Sequence, residues 1–489
     1  MKTFLFRHSR ERSLSRVGFD RPSSMPAANA PVENRFHSRF PARASFLVSG
    51  CAAACALTFA TLTATASTIV PAQRPAAPVL LRGGTVHTVS GGVLEKSDVL
   101  LRDGKIAALG ANLAAPTGVE VVDVSGRHVY PGFISANSQL GLTEVQAVRA
   151  TVDAAELGPI NPNAKAIVAV NPDSDLIPVA RLNGVLTANI TPLASAPGSF
   201  GGGQAIFAGT SALARLDGWT WEDMTLRPAT AMHLYWPSMD VARNPANPRA
   251  AEEQRRTRDE RLKLIRDTFA AARAYAGAKS AGRADTDLRL EALLPVLRSE
   301  VKLFIHANAL NQINAALEWA RAQKLAFTLV GGRDAWMVAD RLKEANVGVI
   351  LAGTFNLPAR RDEAYDAPYA APGKLHAAGV KFCIALGTDG ASETGNERNV
   401  PYEAALAAGY GLPREEALKA VTLYPAQLLG ADAELGSIEV GKRATLFVSD
   451  GDALELTSNV QLAFIDGAKI ELRSRQTDLH EKSRQRLGQ

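Results

Sequence analysis

The apolar positions of the 489-residue chain follow two different patterns. Short segments in which apolar and polar residues alternate, separated by Gly-Gly and Asp-Gly turns, occur between residues 79 and 131. The same pattern returns after residue 436, with a turn at Asp466-Gly467. Alternation with such turns predicts antiparallel hairpins. Neither set has enough strands to bury two faces alone, so we predict that the two chain ends together build one small β-sandwich.

Continuous apolar runs separated by helical patterns replace this alternation in the middle of the chain. The runs are GVLTANI, VKLFIHA, AFTLVGG, VGVILAG and KFCIALG. Strands of this kind, each followed by a single helix, predict an α/β fold with a parallel sheet covered by helices. A length of about 300 residues favours closure into a TIM (β/α)8 barrel. The charged segment 249–279 predicts an exposed helix with charges of both signs, inserted into this barrel.

The positive charge of the chain belongs to its first residues. From Met1 to Arg43 there are nine Lys or Arg residues and three acidic ones, so this segment carries +6. The whole chain carries +5, which leaves −1 for the remainder. A body with almost no net charge gives no basis for nucleic-acid binding.

An uncharged apolar segment of small residues follows Arg43 and ends in Ala64-Thr65-Ala66. Basic residues, an apolar run and an A-x-A ending predict an export signal that is cut before Ser67, which places the mature protein in the periplasm or outside the cell. An uncleaved leader that anchors the chain in the membrane is the alternative, because the run nearly reaches the roughly 20 residues that a span needs. Removal of the leader leaves Cys383 alone, and we predict that it is a core residue.

The domain prediction follows from these patterns. It consists of an export signal at 1–66, a linker at 67–78, a composite β-sandwich at 79–131 and 436–475, a TIM barrel at 132–435 and a tail at 476–489.

Polar residues follow the apolar run Val129 to Ile134, at the point where a buried strand opens into a loop. They include Asn137 and Gln139. Polar side chains at the end of a barrel strand usually line a site. If these side chains bind a metal ion, their amide oxygens are hard donors, which suit calcium, magnesium or manganese better than zinc.

The chain resembles the amidohydrolase superfamily, and within it the imidazolonepropionase-like branch. The segments that carry the resemblance are LLRGGTVHTV, GRHVYPGFI, FIHANALNQINAAL, IALGTDG, the stretch from ALKAVTLYPAQLL to LFVSDGDALE, and AFIDGAKI. The resemblance implies a TIM barrel with a composite β-sandwich. It also implies one or two divalent metals, zinc above all, that activate water for attack on an amide, ester or related C–N bond.

The resemblance also implies a ligand set, which this chain matches only in part. The Asp-x-His-x-His motif of the family falls on Ser135, Asn137 and Gln139, so both first-strand histidines are replaced. His306 matches the ligand on the fifth strand and Asp389 the aspartate on the eighth. The candidate metal ligands are therefore His306, Asp389, Asn137 and Gln139. A catalytic zinc ion takes three protein ligands from His, Asp, Glu or Cys, and only two of these four qualify.

Other polar residues near the predicted strand ends are candidates for contact with substrate. The sixth-strand histidine of the family falls where Gly331 and Gly332 stand, and Arg333 and Asp334 follow them. These two residues either form an ion pair or contact substrate, and Glu144, beyond Gln139, is a third candidate. Asp389 is also the predicted catalytic residue, as a general base. His233, before Trp236, is a candidate for the lining of the barrel, but no spacing supports a role as a ligand.

The sequence leaves two functions open. The first is an exported amidohydrolase-like enzyme that hydrolyses a small amide, a cyclic imide or a peptide-like substrate with an altered metal site. The second is an inactive barrel that binds such molecules, or supports an intact homologue in a hetero-oligomer. The predicted partners are a small-molecule substrate and a second subunit, with no nucleic acid, and with membrane contact only through an uncleaved leader.

Overall fold

The computed structural model describes residues 69–73, 75, 77–195, 205–241, 248–386 and 391–488. These residues belong to one compact unit, Thr65–Gln489. The predicted export signal at 1–66 and the predicted site residue Asp389 lie outside the described residues. None of the helices in the described ranges is long and apolar enough to cross a membrane.

Eight strands form a barrel-like sheet in chain order. They are β6 (Phe133–Ser138), β7 (Val185–Ile190), β8 (Phe207–Arg215), β9 (Thr225–Tyr235), β10 (Lys302–Ala307), β11 (Thr328–Gly331), β12 (Gly348–Ala352) and β13 (Phe382–Ala385). The last strand, β13, lies near the first, β6, so the sheet is nearly closed. The predicted α/β class and the TIM-like barrel are therefore confirmed.

One strand departs from the parallel barrel that the sequence predicts. Strand β8 pairs antiparallel with both β7 and β9, while the other neighbours in the sheet are parallel. Only residues 216–224 connect β8 to β9, which is too short for a helical crossover but sufficient for an antiparallel connection. The prediction of a parallel sheet was wrong in this part of the chain, and β8 and β9 were not among the strands predicted from apolar runs.

Helices lie between and after the strands along the chain. They are α1 (Leu176–Arg181), α2 (Trp221–Met224), α3 (Pro248–Ser280), α4 (Leu288–Leu297), α5 (Leu310–Gln323), α6 (Ala339–Glu344), α7 (Ala367–Ala378), α8 (Val400–Gly409), α9 (Arg414–Lys419), α10 (Leu423–Leu429) and α11 (Arg475–Leu487), with short 3₁₀ turns between them. The long helix α3 is exposed along its first half, as its mixed charges predict, whereas its second half packs Ile265, Phe269 and Ala272 into the core.

The barrel interior is apolar at one end. Alternate strand residues form one buried cluster, and its members from the strands are Ile134, Ala136, Leu213, Ala231, Phe304, Val330, Ile350, Cys383 and Ala385. Residues of α10 and the loop after it complete this cluster. Lys302, the first residue of β10, donates to the main-chain oxygen of Gln427 in α10 (3.4 Å), so α10 closes the end of the barrel at which the parallel strands begin. Polar interior positions are left to the opposite end, where these strands finish.

Strands from both ends of the chain form a second sheet. They are β1 (Val79–His87), β2 (Val93–Arg102), β3 (Lys105–Gly110), β4 (Glu120–Asp123), β5 (His128–Pro131), β14 (Leu446–Ser449), β15 (Val460–Ile465) and β16 (Ala468–Lys469). The order is β16-β15-β14-β5-β1-β2-β3, with β4 also paired to β1. Strand β14 joins the two sets through its antiparallel pairing with β5. Strand β5 leads directly into β6, which ties this sheet to the barrel. The domain boundaries themselves stay a prediction.

Candidate active site

Two histidines lie side by side inside the barrel near the ends of β9 and β10. His233 and His306 follow Ala231 and Phe304 of the interior cluster by two residues each, so both side chains lie on the interior face of their strands. His233 Nδ1 and His306 Nε2 are 2.8 Å apart and share one hydrogen bond. The ring of Tyr235 stacks on that of His306, with 3.9 Å between the ring centres.

Burial keeps both imidazoles neutral. Loss of hydration lowers the pKa of His233 to about 3, and burial followed by the neighbouring His233 lowers the pKa of His306 well below its usual value. One ring must then donate the shared hydrogen bond and the other accept it. His233 Nε2 is buried without a hydrogen-bond partner among the described residues. This nitrogen is therefore a donor when His306 donates to His233, and an acceptor in the opposite tautomer.

The sequence reasoning considered His233 as a barrel-lining residue but missed its pairing with His306. Its pairing with His306 arises because β9 and β10 are neighbours and Phe304 lies opposite His233 in the ladder. The available signal was the alternation in TLRPATAMHLY, which places His233 and Tyr235 on one face once this segment is read as a strand.

The predicted first-strand residues are buried at the end of β6. Asn137 and Gln139 are each 3% exposed, and Ser135 is fully buried. Both side-chain atoms of Asn137, Nε2 of Gln139 and Oγ of Ser135 have no hydrogen-bond partner in the described part of the chain. The pairing of β6 with β7 shifts register between Ser135 and Ser138, so the bulge lies in this polar segment. β-Bulges are frequent next to active sites, where they redirect a side chain.

The neighbouring strand β7 contributes a side chain whose hydrogen bonds are filled. Asn189 donates to the main-chain oxygen of Ala136 (3.2 Å) and accepts from Thr230 Oγ1 (2.5 Å). Ser211 Oγ lies 2.7 Å from the same Thr230 oxygen. These contacts hold β6 to β9 from inside the barrel, so the unpartnered atoms of Asn137 are not the result of a generally loose interior.

The sixth strand has no room for the histidine that the family resemblance implies. Gly331 has φ +98°, which an L side chain rarely adopts. A Cβ placed on Gly331 would lie 2.4 Å from Asn308 Oδ1. The side chain that follows β10 therefore fills the space in which a ligand on β11 would begin.

The predicted pair Arg333 and Asp334 forms an ion pair, with 3.3 Å between Arg333 Nε and Asp334 Oδ1. Asp334 is 1% exposed; it also binds Arg360 and accepts from the main-chain nitrogen of Leu310 (2.9 Å) at the start of α5. Hydrogen bonds from these groups lower the pKa of Asp334 against the opposing effect of burial. Its carboxylate therefore holds the loops after β10, β11 and β12 together, and a contact with substrate stays a prediction.

Glu144 lies in the loop after β6 and is half-buried. Burial raises the pKa of its carboxyl group, against hydrogen bonds that include Ser174. One of its oxygens, Oε1, has no hydrogen-bond partner within the described ranges. A role in substrate contact remains a prediction for Glu144, as does the role of Asp389.

The described donors do not make the three-ligand site that zinc requires. Among the described residues, no group of three or more His, Cys, Asp or Glu side chains is arranged to hold a metal ion. His306 Nε2 already shares a hydrogen bond with His233, the first-strand positions carry amides, and Gly331 carries no side chain.

Comparison with known proteins identifies the class. The sequence model of the amidohydrolase family matches residues 232–470, a range that includes the end of β9, all of β10 and the histidine pair. The crystal structure of an amidohydrolase from Thermotoga maritima MSB8 superimposes with a TM-score of 0.70 at 25% sequence identity, over 81% of this chain and 100% of that one. Residues 232–470 match the amidohydrolase family, and the fold is shared with an amidohydrolase of known structure.

The chain spans less than half of the length of the curated proteins that it matches. A segment of 62 residues, 13% of this chain, is 44% identical to dihydroorotase of Geobacter sulfurreducens and covers 15% of that enzyme. A longer match of 412 residues, 76% of this chain, is 26% identical to the amidohydrolase tasK of Hapsidospora irregularis and covers 39% of it. The amidohydrolase family is generally metal-dependent.

Proposed function

We propose that this protein is an exported hydrolase that cleaves the C–N bond of a small amide or cyclic imide inside its barrel. The observation that carries the proposal is the histidine pair. His233 Nε2 is buried and unpartnered among the described residues, and it lies near the end of a barrel strand, where the active sites of such barrels gather. The buried amides of Asn137 and Gln139 end β6 at the same edge of the barrel.

The neutral histidine pair suits the role of a hydrogen-bond donor to a carbonyl oxygen. When His306 Nε2–H donates to His233 Nδ1, His233 Nε2–H is free to donate to the substrate. A neutral donor in a buried site stabilises negative charge that develops on the carbonyl oxygen as water attacks. With a pKa of about 3, His233 is a weak base, which favours this role over proton abstraction from water.

The remaining proton transfer is assigned to Asp389, the base predicted from the sequence. Water adds to the carbonyl carbon while its proton passes to Asp389. The C–N bond then breaks, the nitrogen takes that proton, and the products are a carboxylic acid and an amine. Water and Asp389 supply every proton that these steps move.

A second function is favoured by the position of Asn308, whose Oδ1 would lie 2.4 Å from a Cβ placed on Gly331. The loss of ligand positions together with the filling of their space is the pattern of a barrel that no longer needs the ligands. In this case the protein binds a small amide without cleaving it, alone or as the subunit partner of an intact homologue.

Hydrolysis by the mature chain separates the two functions. The chain, dialysed against a chelator, is assayed with a panel of lactams, cyclic imides and N-acyl amino acids, and product acid is measured. We expect turnover that falls about 100-fold or more in His233→Gln, since one lost donor to an oxyanion costs that much. His480→Gln, on the exposed face of α11, is the matched control and should retain the activity.

Absence of turnover across the panel, with and without added zinc, would contradict the enzymatic function and leave the binding function to be tested by ligand titration. Turnover that His233→Gln leaves unchanged would exclude the histidine pair from the chemistry. Export has its own test, in which the protein is recovered from a periplasmic fraction and its N-terminus sequenced. A first residue at or near Ser67 is expected, and an intact leader on cytoplasmic protein would end this part of the proposal.

A further inference from the structure

The end of the barrel at which the parallel strands begin contains a cavity that the proposed chemistry does not use. Its volume is about 700 Å³, and small-molecule sites occupy about 300–1,000 Å³. Lys302, Thr328 and Gly348 line the cavity and are the first residues of β10, β11 and β12, while Lys381 directly precedes β13. The cavity therefore lies at the opposite end of these strands from the histidine pair.

The inner part of the lining is apolar. Phe327, Phe382 and Leu428 line the cavity and are buried. The ring of Tyr424, which belongs to α10, meets that of Phe382 at a steep angle, with 6.2 Å between the ring centres. The hydroxyl group of Tyr424 donates to Glu416, so its hydrogen bond is already made. A lining of this kind favours a flat apolar group, such as an aromatic ring.

Charged side chains lie at the rim of the same cavity. Lys302, Lys381 and Asp432 belong to its lining and are exposed. The lysines that form ion pairs within the described ranges are Lys263, Lys279, Lys419 and Lys442. Lys302 and Lys381 therefore have no ion-pair partner in that part of the chain, and both ammonium groups are available to an anion.

The ammonium group of Lys302 is partly withdrawn from water. Its Nζ donates to the main-chain oxygens of Gln427 (3.4 Å) and Leu428 at the end of α10. An ammonium group has three N–H donors, so one is left for another acceptor. Burial lowers the pKa of Lys302, Asp432 opposes this effect, and Arg227 adds to it. A charged donor with incomplete hydration gains more from an anionic acceptor than a fully hydrated one does.

The charges of the rim indicate the charge of the ligand. Two lysines and one aspartate leave a single positive charge, which a monoanion balances. His376 also lines the cavity, and Glu416 lies 3.6 Å from it and balances any charge that it gains. A carboxylate group supplies acceptors for both ammonium groups, and a ring attached to it reaches the apolar part of the lining. Inorganic phosphate has no such apolar part.

We propose that the cavity lined by Lys302, Lys381, Phe327 and Phe382 is a second ligand site, which binds a small aromatic monocarboxylate. The carboxylate binds between the two lysines, and the ring packs against the two phenylalanines. The proposal goes beyond hydrolysis inside the barrel, because it concerns the other end of the strands and needs no turnover.

Equilibrium binding of matched probes tests the proposal. The probes are benzoate, acetophenone, which has nearly the same shape without the charge, benzamidinium, which has the opposite charge, and acetate, which lacks the ring. Dissociation constants are measured on the mature protein at low ionic strength by ligand-observed NMR. We expect benzoate to bind about fivefold or more tightly than acetophenone, since charged hydrogen bonds are strong but this rim is exposed. Acetate should bind about tenfold more weakly than benzoate because no ring is buried.

Two variants and two controls locate the bound probe. Lys381→Glu changes the charge of the rim from positive to negative, so it should bind benzamidinium more tightly than benzoate. Lys302→Met should weaken benzoate about fivefold and leave acetophenone unchanged. Lys482→Glu makes the same charge change on the exposed face of α11, outside the lining, and should keep the preference for benzoate. His233→Gln should bind benzoate as the unmodified protein does.

Thermal unfolding of each variant verifies that it is folded; if Lys302→Met is not, Lys381→Glu decides alone. A preference that Lys381→Glu inverts supports the proposal. Equal affinity of the unmodified protein for benzoate and acetophenone overturns it, as does equal affinity for benzoate and acetate. A preference that persists in both lysine variants, or that is lost in His233→Gln, places benzoate elsewhere and also overturns it. Hydrolysis of the amide panel has no bearing on these outcomes, so the two proposals fail separately.

Discussion

The substitution Gly331→Ala tests whether the sixth strand has lost its ligand position for a structural reason. An L residue at a positive φ costs about 1–2 kcal/mol. At Gly331, with φ +98°, the new Cβ also lies 2.4 Å from Asn308 Oδ1. Asn308 is half-buried and is able to rotate away, at a cost of about 0.5–1.5 kcal/mol for an unfavourable rotamer. The expected loss in the free energy of unfolding is therefore about 2–3 kcal/mol.

A matched glycine separates the two contributions. Gly126 has φ +73°, and a Cβ there would meet nothing within 4 Å. Gly126→Ala should therefore cost only the backbone term, about 1–2 kcal/mol. In an Asn308→Ala background, Gly331→Ala should cost about as much as Gly126→Ala, which gives a coupling energy of about 1 kcal/mol between positions 308 and 331.

Urea unfolding followed by tryptophan fluorescence measures each term. Because the barrel and the second sheet form one compact unit, a single transition provides the free energies. If Gly331→Ala and Gly126→Ala cost the same, or if Asn308→Ala leaves the cost of Gly331→Ala unchanged, Asn308 does not block this position. A histidine at 331 would then be sterically acceptable, and its absence would need another explanation.

Three further predictions concern the metal, the pH dependence and the second sheet. The purified protein should hold less than one equivalent of zinc after dialysis, as measured by mass spectrometry. The double variant Asn137→His, Gln139→His should hold more zinc. Tight stoichiometric zinc in the unmodified protein would contradict the assigned ligand set. Burial, followed by the neighbouring His128, lowers the pKa of His87 to about 4. Between about pH 6.5 and pH 4 the folded state therefore binds fewer protons than the unfolded state, and the protein loses stability as the pH falls through this range. After allowance for the exposed part of the ring, the expected loss in the free energy of unfolding is about 1 kcal/mol. Urea unfolding of His87→Gln should show a smaller loss over the same pH range than the unmodified protein. An identical pH dependence of the two proteins would refute the role of His87. Deletion from Gly436 onward removes β14 and should lower the melting temperature of the remaining chain, so an unchanged cooperative melt would exclude a shared core.

Local patterns predicted the fold in outline because they follow from burial. Five apolar runs became barrel strands, since a strand covered on both sides must be apolar throughout. The strands β8 and β9 were missed because their sequences mix polar and apolar residues. Thr230 and Ser211 point to each other inside the barrel, and such a polar interior breaks the pattern on which the prediction depended.

The candidate site divides in the same way between sequence and tertiary structure. The sequence by itself determined that Asn137 and Gln139 stand at the end of a buried strand, and that Gly331 offers no ligand, because these are properties of residue type and position. Only the tertiary structure decided that His233 pairs with His306, since these residues are far apart in the chain and meet through the register of β9 and β10. It alone decided that Asn308 fills the space beside Gly331 and that Asp334 is held by Arg360, because each contact joins loops whose proximity depends on closure of the barrel.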